Sequence, residues 1–144
     1  ITIPKVDEEI KLNNMNFKVI YTGTDESDLN NTSIVLKLEY GKTSYLFTGD
    51  ATDKTKEKIL DKDIEADVLK VGHHGSKTSS GKKFIDEINP QYSIISVGKN
   101  NRYGHPNESV LENLEDSKIY RTDQDGSIMV KFKNNKLEIE TCSP

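Results

Sequence analysis

Metal-ligating and proton-moving side chains gather behind three apolar runs in this chain. Only three histidines occur in 144 residues, and two of them are adjacent, in "DVLKVGHHGSKTSSG" (67–81). The run "SYLFT" leads into Gly49-Asp50. "ADVLKV" leads into Gly72-His73-His74-Gly75, and "YSIISV" into Gly98 and, through "KNNRYG", His105. In sheets flanked by helices, ligands bind outside the carboxyl ends of the strands. Asp50, His73, His74 and His105 are therefore candidates for one edge of one sheet. Glycines in all three loops let the backbone turn sharply and approach a ligand closely. Imidazole with carboxylate suits zinc, manganese or iron, and a catalytic site needs about three protein ligands with one position left for water. A metal held in this way lowers the pKa of its water and supplies hydroxide near neutral pH.

Each of these residues also has a plainer role open to it. Asp50 precedes a helical pattern and could cap it, and His105, just before Pro106, could cap another. Adjacent side chains in a loop point in different directions. One histidine of the pair would hold a metal while the other reaches substrate or orients the ligands. "GSKTSSG" (75–81) offers backbone amides, hydroxyls and Lys77 at a helix start, where the dipole favours an anion. The alternative there is a well-capped helix with a solvated lysine.

The elements that must position these residues are legible as patterns. Residues 1–16 are polar and carry no assignment. "FKVIY" (17–21), "SIVLKLEY" (33–40) and "SYLFT" (44–48) read as strands, the last two joined by the turn signal "YGKT". In 33–40, Ile34, Leu36 and Leu38 alternate with Val35, Lys37 and Glu39, which marks the first set as the more apolar face. "ATDKTKEKIL" is a charged helix pattern. "ADVLKV" (66–71) and "YSIISV" (92–97) are buried-type strands. "SSGKKFIDEI" begins with serine caps and carries Phe84, Ile85 and Ile88 at helical spacing. "HPNESVLENL" has Pro106 at its start. "KIYRT", "SIMVKF" and "KLEIE" read as a closing meander, joined through "DQDG" and "KNN". An early hairpin, strand–helix alternation and late strands indicate an α/β or mixed α+β sandwich.

The bulk composition agrees. The length suits one domain, and charged residues at 31% leave one core under a solvated surface. A net charge of −4 argues against tight, nonspecific binding to nucleic-acid phosphates, without excluding an enzyme that brings metal cations to a phosphate. Lys77, Lys82, Lys83, Lys99 and Arg102 would either gather near the strand ends or remain scattered and solvated. No run is long enough for a membrane helix. The single cysteine, Cys142, cannot form an internal disulfide.

The segments "NNTSIVLKLEYG", "LFTGD", "DVLKVGHHGS", "IISVGKNNRYGHP" and "YRTDQDGSI" occur in this order. They resemble the metallo-β-lactamase-like domain of DNA-internalisation competence proteins of the ComEC type. The resemblance spans residues 17–128. It implies a four-layer αββα sandwich with a di-metal hydrolase site between two sheets. The family's bridging aspartate falls on Asp50. A metal-ligand histidine falls on His74, with His73 contacting substrate or supporting the ligands. His105 falls where a further ligand or substrate contact stands. Asn31 and Ser33, in the polar loop, and Ser76 and Lys77 become substrate contacts. The implied activity is metal-dependent hydrolysis of a phosphodiester, with DNA as a candidate substrate, through a zinc or manganese pair.

One departure is serious. The HxHxDH signature, which supplies most metal ligands in that superfamily, is absent, and in the family it lies upstream of everything quoted. The expectation is that residues 1–144 are the C-terminal half of such a domain, and that the N-terminal half is a missing partner. The isolated chain would then be inactive and hold metal weakly or not at all. Pairing between two copies through an exposed sheet would be one way to cover apolar surface. Two other readings stay open: another hydrolase on the same scaffold, such as a phosphocholine esterase or a lactonase, and a non-catalytic binding domain. Fold alone does not choose among them. Localisation follows the parent: the outer face of a membrane for a competence channel protein, otherwise cytoplasmic or secreted.

Overall fold

The computed structural model describes residues 3–23, 27–134 and 136–143. Part of the polar loop (24–26) and Asn135 of the "KNN" turn lie outside the described residues. A seven-stranded sheet runs in the order β1-β2-β3-β4-β5-β6-β7, and β8 and β9 form a separate two-stranded sheet. The strands of the large sheet are β1 (Glu9–Leu12), β2 (Met15–Thr22), β3 (Ile34–Tyr40), β4 (Thr43–Phe47), β5 (Val68–Lys70), β6 (Tyr92–Ile95) and β7 (Lys118–Arg121). The helices are short: α1 (Asp53–Lys56), α2 (Lys82–Ile88), α3 (Glu108–Asn113) and α4 (Thr122–Asp125).

Strands β1 to β4 pair antiparallel, whereas β4, β5, β6 and β7 are mutually parallel. The parallel register carries the carboxyl ends of β4, β5 and β6 to the same sheet edge. The β3–β4 hairpin closes at Gly41, whose φ of +63° suits a residue without a Cβ. β1, an exposed edge strand, lies in the stretch that the sequence left unassigned.

The core lies between the helices and one sheet face. Leu46 and Leu69 are neighbours in the ladder and almost fully buried, together with Val35, Ile85, Ile88, Val110 and Leu114. In β3 the more apolar set of the alternation faces away from the helices. Val35 and Lys37 point towards the helices and are buried, whereas Ile34 is 40% exposed and Leu38 lies on the opposite face. Lys37 can occupy the buried side because its Nζ reaches the Asp63 carboxylate at 2.5 Å, which supplies a partner for a charge that burial would otherwise penalise. The opposite face is rich in aromatic residues. Met15, Leu38, Tyr45, Phe47 and Ile94, with Val130 of β8 (Ser127–Lys133), line a groove of about 330 Å³ between the two sheets.

Three further expectations change. The closing strands are not one meander. β7 joins the large sheet, and α4 then redirects the chain. Asp125 accepts from the Arg121 N–H (2.7 Å), Asp123 pairs with the Arg121 guanidinium, and Gly126 takes φ +70°, ψ −132°. "DQDG" is thus a helical turn that sends the chain to the second sheet, where β8 pairs with β9 (Lys136–Cys142). Ser79 and Ser80 do not cap α2, because the Ser79 hydroxyl turns inward to the carbonyls of Gly72 and Ser76, both at 2.9 Å, and Gly81 stands at the cap. Pro106 precedes α3, whose cap is Asn107 accepting from the Ser109 N–H.

Candidate active site

Three loops at the carboxyl ends of β4, β5 and β6 build the site. The first carries Asp50. Its N–H donates to the Ser33 hydroxyl at 3.0 Å, and the carbonyl of Gly49 accepts from the His73 N–H at 3.1 Å. The β4 and β5 loops are therefore tied to each other through the backbone. The second loop, Gly72–Gly75, turns so tightly that both histidines adopt left-handed backbone angles, φ 46°, ψ 44° for His73 and φ 56°, ψ 19° for His74. Non-glycine residues at positive φ store strain, and such strain persists where the surroundings over-determine it, often at functional sites. Packing leaves no slack here. A methyl at Gly72 would stand 2.7 Å from Thr48 Oγ1 and 2.9 Å from Lys56 Nζ.

The third loop, residues 98–105, is stapled by Asn101. Its amide nitrogen donates to the carbonyls of Gly98 (3.1 Å) and His105 (2.7 Å), and its oxygen accepts from the N–H groups of Tyr103 (3.2 Å) and His105 (2.9 Å). Gly75 joins this loop to the histidine pair, because its carbonyl accepts from the Asn107 N–H at 2.9 Å.

The three imidazoles meet. The His73 ring lies 6.3 Å from that of His74 and 6.0 Å from that of His105, centroid to centroid. The Nδ1–H of His74 donates to the Ser96 carbonyl at 2.7 Å. This contact leaves the Nε2 lone pair of the neutral ring available, the usual arrangement of a metal-binding histidine. His73 Nδ1 is buried and has no hydrogen-bond partner among the described residues. Burial, with the neighbouring His73 and His74 rings adding repulsion, holds the His105 imidazole below its ordinary pKa.

Two lysines missed in the sequence shape the field around Asp50. Burial drives Lys56 down to about 8 against the pull of Asp53 and Asp50, and it lowers Lys70 against the pull of Asp50. Nothing in the pattern "ATDKTKEKIL" distinguishes Lys56 from its solvated neighbours. Its burial arises only when α1 docks under the Gly72–Gly75 turn, where Nζ donates to the Ser79 carbonyl.

The remaining predicted contacts are placed as follows. Asn31 is 5% exposed, and its side-chain oxygen accepts from the hydroxyls of Thr52 (2.6 Å) and Thr55 (2.8 Å). Ser33 holds the Asp50 amide. Ser76 is buried beside the Thr78 hydroxyl (3.2 Å), and Lys77 is exposed. The first amide of the α2 end, that of Gly81, is taken by the Asp53 carboxylate at 2.9 Å.

An unpartnered imidazole nitrogen, a second imidazole oriented through a carbonyl, and a nearby strand-end carboxylate fit a divalent metal in kind. Among the described residues, however, no three His, Cys, Asp or Glu side chains stand close enough together to hold one.

Comparison with known proteins decides the family. A family model described as "Metallo-beta-lactamase superfamily" matches residues 23–99, a stretch that contains Asp50, His73 and His74. The chain belongs to the metallo-β-lactamase superfamily. Among curated relatives, ComE operon protein 3 of Bacillus subtilis (strain 168) is 41% identical over 135 residues, covering 90% of this chain and 17% of that protein. Recombination protein 2 of Haemophilus influenzae is 38% identical over 113 residues, covering 77% of this chain and 14% of that protein. Competence protein ComA of Neisseria gonorrhoeae is 37% identical over 106 residues, covering 70% and 15%. This chain of the metallo-β-lactamase superfamily thus spans less than a fifth of the length of these relatives. Solved structures agree on the fold. A Thermotoga maritima protein described as a Zn-dependent hydrolase of the superfamily aligns with TM-score 0.52 at 19% identity, covering 83% of this chain and 70% of that one. A Parabacteroides distasonis protein described as a metal-dependent hydrolase aligns with TM-score 0.57 at 11% identity, covering 84% and 57%.

Proposed function

We propose that this chain is part of a metal-dependent phosphodiesterase of the competence-protein type. The observation that carries the reading is the histidine pair, strained into left-handed backbone and ringed with His105, at the sheet edge where the Asp50 strand also ends. Asp50 and His74 would hold divalent zinc or manganese, with His105 as a further ligand or a substrate contact. The remaining ligands would come from chain outside these residues. A bound divalent metal supplies a hydroxide near neutral pH and takes up charge on phosphoryl oxygens.

This chain's own residues do the positioning. The Ser96 carbonyl fixes the tautomer and ring plane of His74. The Gly49 carbonyl and the Ser33 hydroxyl hold the Asp50 and His73 backbones in register. His73 lies between the other two rings and would contact substrate, and the exposed Lys77 would add a cation for a phosphate. By itself the 144-residue chain would turn over slowly or not at all.

The test is hydrolysis of a generic phosphodiester by the full protein, with and without added manganese or zinc. Metal-dependent turnover is expected, and it should be lost in Asp50→Ala and in His74→Ala while the fold is retained. Activity within a few-fold of wild type in either variant would remove that residue from the mechanism. No turnover with any metal would sink the reading.

A further inference from the structure

We propose that Tyr103, carried on the His105 loop, is a base-stacking residue that selects substrates presenting an unpaired nucleobase next to the scissile phosphodiester; this rests on the phosphodiesterase reading above. Tyr103 is 66% exposed, so much of its ring remains open to solvent. Its ring is stacked on that of His105 with centroids 5.8 Å apart and an interplanar angle of 18°. The His105 ring in turn meets the His73 ring at 6.0 Å. The exposed aromatic surface is thereby continuous with the histidine cluster.

The Arg102 guanidinium lies 5.0 Å from the Tyr103 ring centre, and its NH2 group donates to the tyrosine hydroxyl at 2.8 Å. A flat aromatic, a flat cation and an imidazole in one array are the chemistry that accepts a π-face. Every nucleobase has such a face, whichever its sequence. The guanidinium also has donors left over for a phosphate oxygen.

Rigidity distinguishes this array from a loose surface tyrosine. Asn101 holds the loop through four hydrogen bonds to its own backbone. Tyr103 is thus held out before any ligand arrives, and little ordering entropy remains to be lost on binding. In a duplex both faces of a base are already covered by its neighbours, so the platform favours single strands, frayed ends and mononucleotide esters over intact duplex.

The experiment uses the full protein and two fluorescent single-stranded oligonucleotides of equal length and charge. One carries bases throughout, and the other carries abasic sugars at the cleaved end. Binding by anisotropy and manganese-dependent hydrolysis are both measured. Stacking on one ring predicts that Tyr103→Ala weakens binding of the base-bearing strand relative to the abasic strand by about 5-fold to 100-fold, and that Tyr103→Phe restores the ratio. If wild type binds both strands equally, or Tyr103→Ala weakens both equally, the stacking assignment is wrong even where hydrolysis persists. If binding shows the base-dependent loss but no strand is cleaved, the stacking assignment stands and the phosphodiesterase reading falls.

Discussion

Lys56→Met should stabilise this protein near neutral pH, and the gain should fade as the pH rises. Lys56 is 1% exposed, its Nζ donates to the Ser79 carbonyl, and the Phe84 ring lies 4.9 Å from it. Desolvation lowers its pKa from 10.5 to about 8. At about 1.4 kcal/mol per unit, the buried ammonium costs about 3 kcal/mol below pH 8. The sign follows from proton binding. The folded pKa lies below the unfolded one, so between pH 8 and 10.5 the unfolded chain holds more protons and this group's contribution to stability rises with pH. Methionine keeps most of the apolar stem and removes the charge. It also leaves the Ser79 carbonyl without its donor, at about 1 kcal/mol. The net expectation is a gain of about 2 kcal/mol at pH 7 that disappears or changes sign at about pH 10.5. Urea unfolding of both proteins at pH 7, 8.5 and 10 reads the difference directly. A variant that is no more stable at pH 7, with a difference that does not vary with pH, would refute the claim that this ammonium is held against its desolvation cost.

Gly75→Ala should uncouple the histidine pair from the His105 loop. Gly75 has φ +82°, and an added Cβ would lie 2.6 Å from the Pro106 Cβ. A stability loss of about 1–3 kcal/mol is expected, with a fall in metal-dependent turnover of the full protein. Unchanged melting and unchanged rate would show that the two loops need not touch. Asn31→Ala should cost about 2 kcal/mol by leaving the hydroxyls of Thr52 and Thr55 without an acceptor. Chemical denaturation of Asn31→Ala with and without Thr55→Val checks this, since removing one stranded hydroxyl should recover part of the loss.

What the sequence determined by itself was local. Apolar runs ending in glycine mark strands that stop sharply, so β4, β5, β6 and the residues behind them were readable from pattern. Phe84, Ile85 and Ile88 mark the buried side of α2, and "YGKT" marks a hairpin, because each depends only on neighbours in the chain. Tertiary structure decided the rest. Parallel pairing of β4, β5 and β6 brings three separate loops to one edge, and pairing partners are not encoded in any single strand. The alternation in β3 does not tell which side faces the helices: Lys37 sits on that side, and only the approach of Asp63, 26 residues away, gives its buried charge a partner. Lys56 reads as one of several solvated lysines until the turn at Gly72 closes over it. Tyr103 becomes more than a loop aromatic only once Asn101 has folded the loop and placed the ring against His105. These are consequences of long-range packing, in which a residue's partner lies far away in sequence and its desolvation depends on what docks over it.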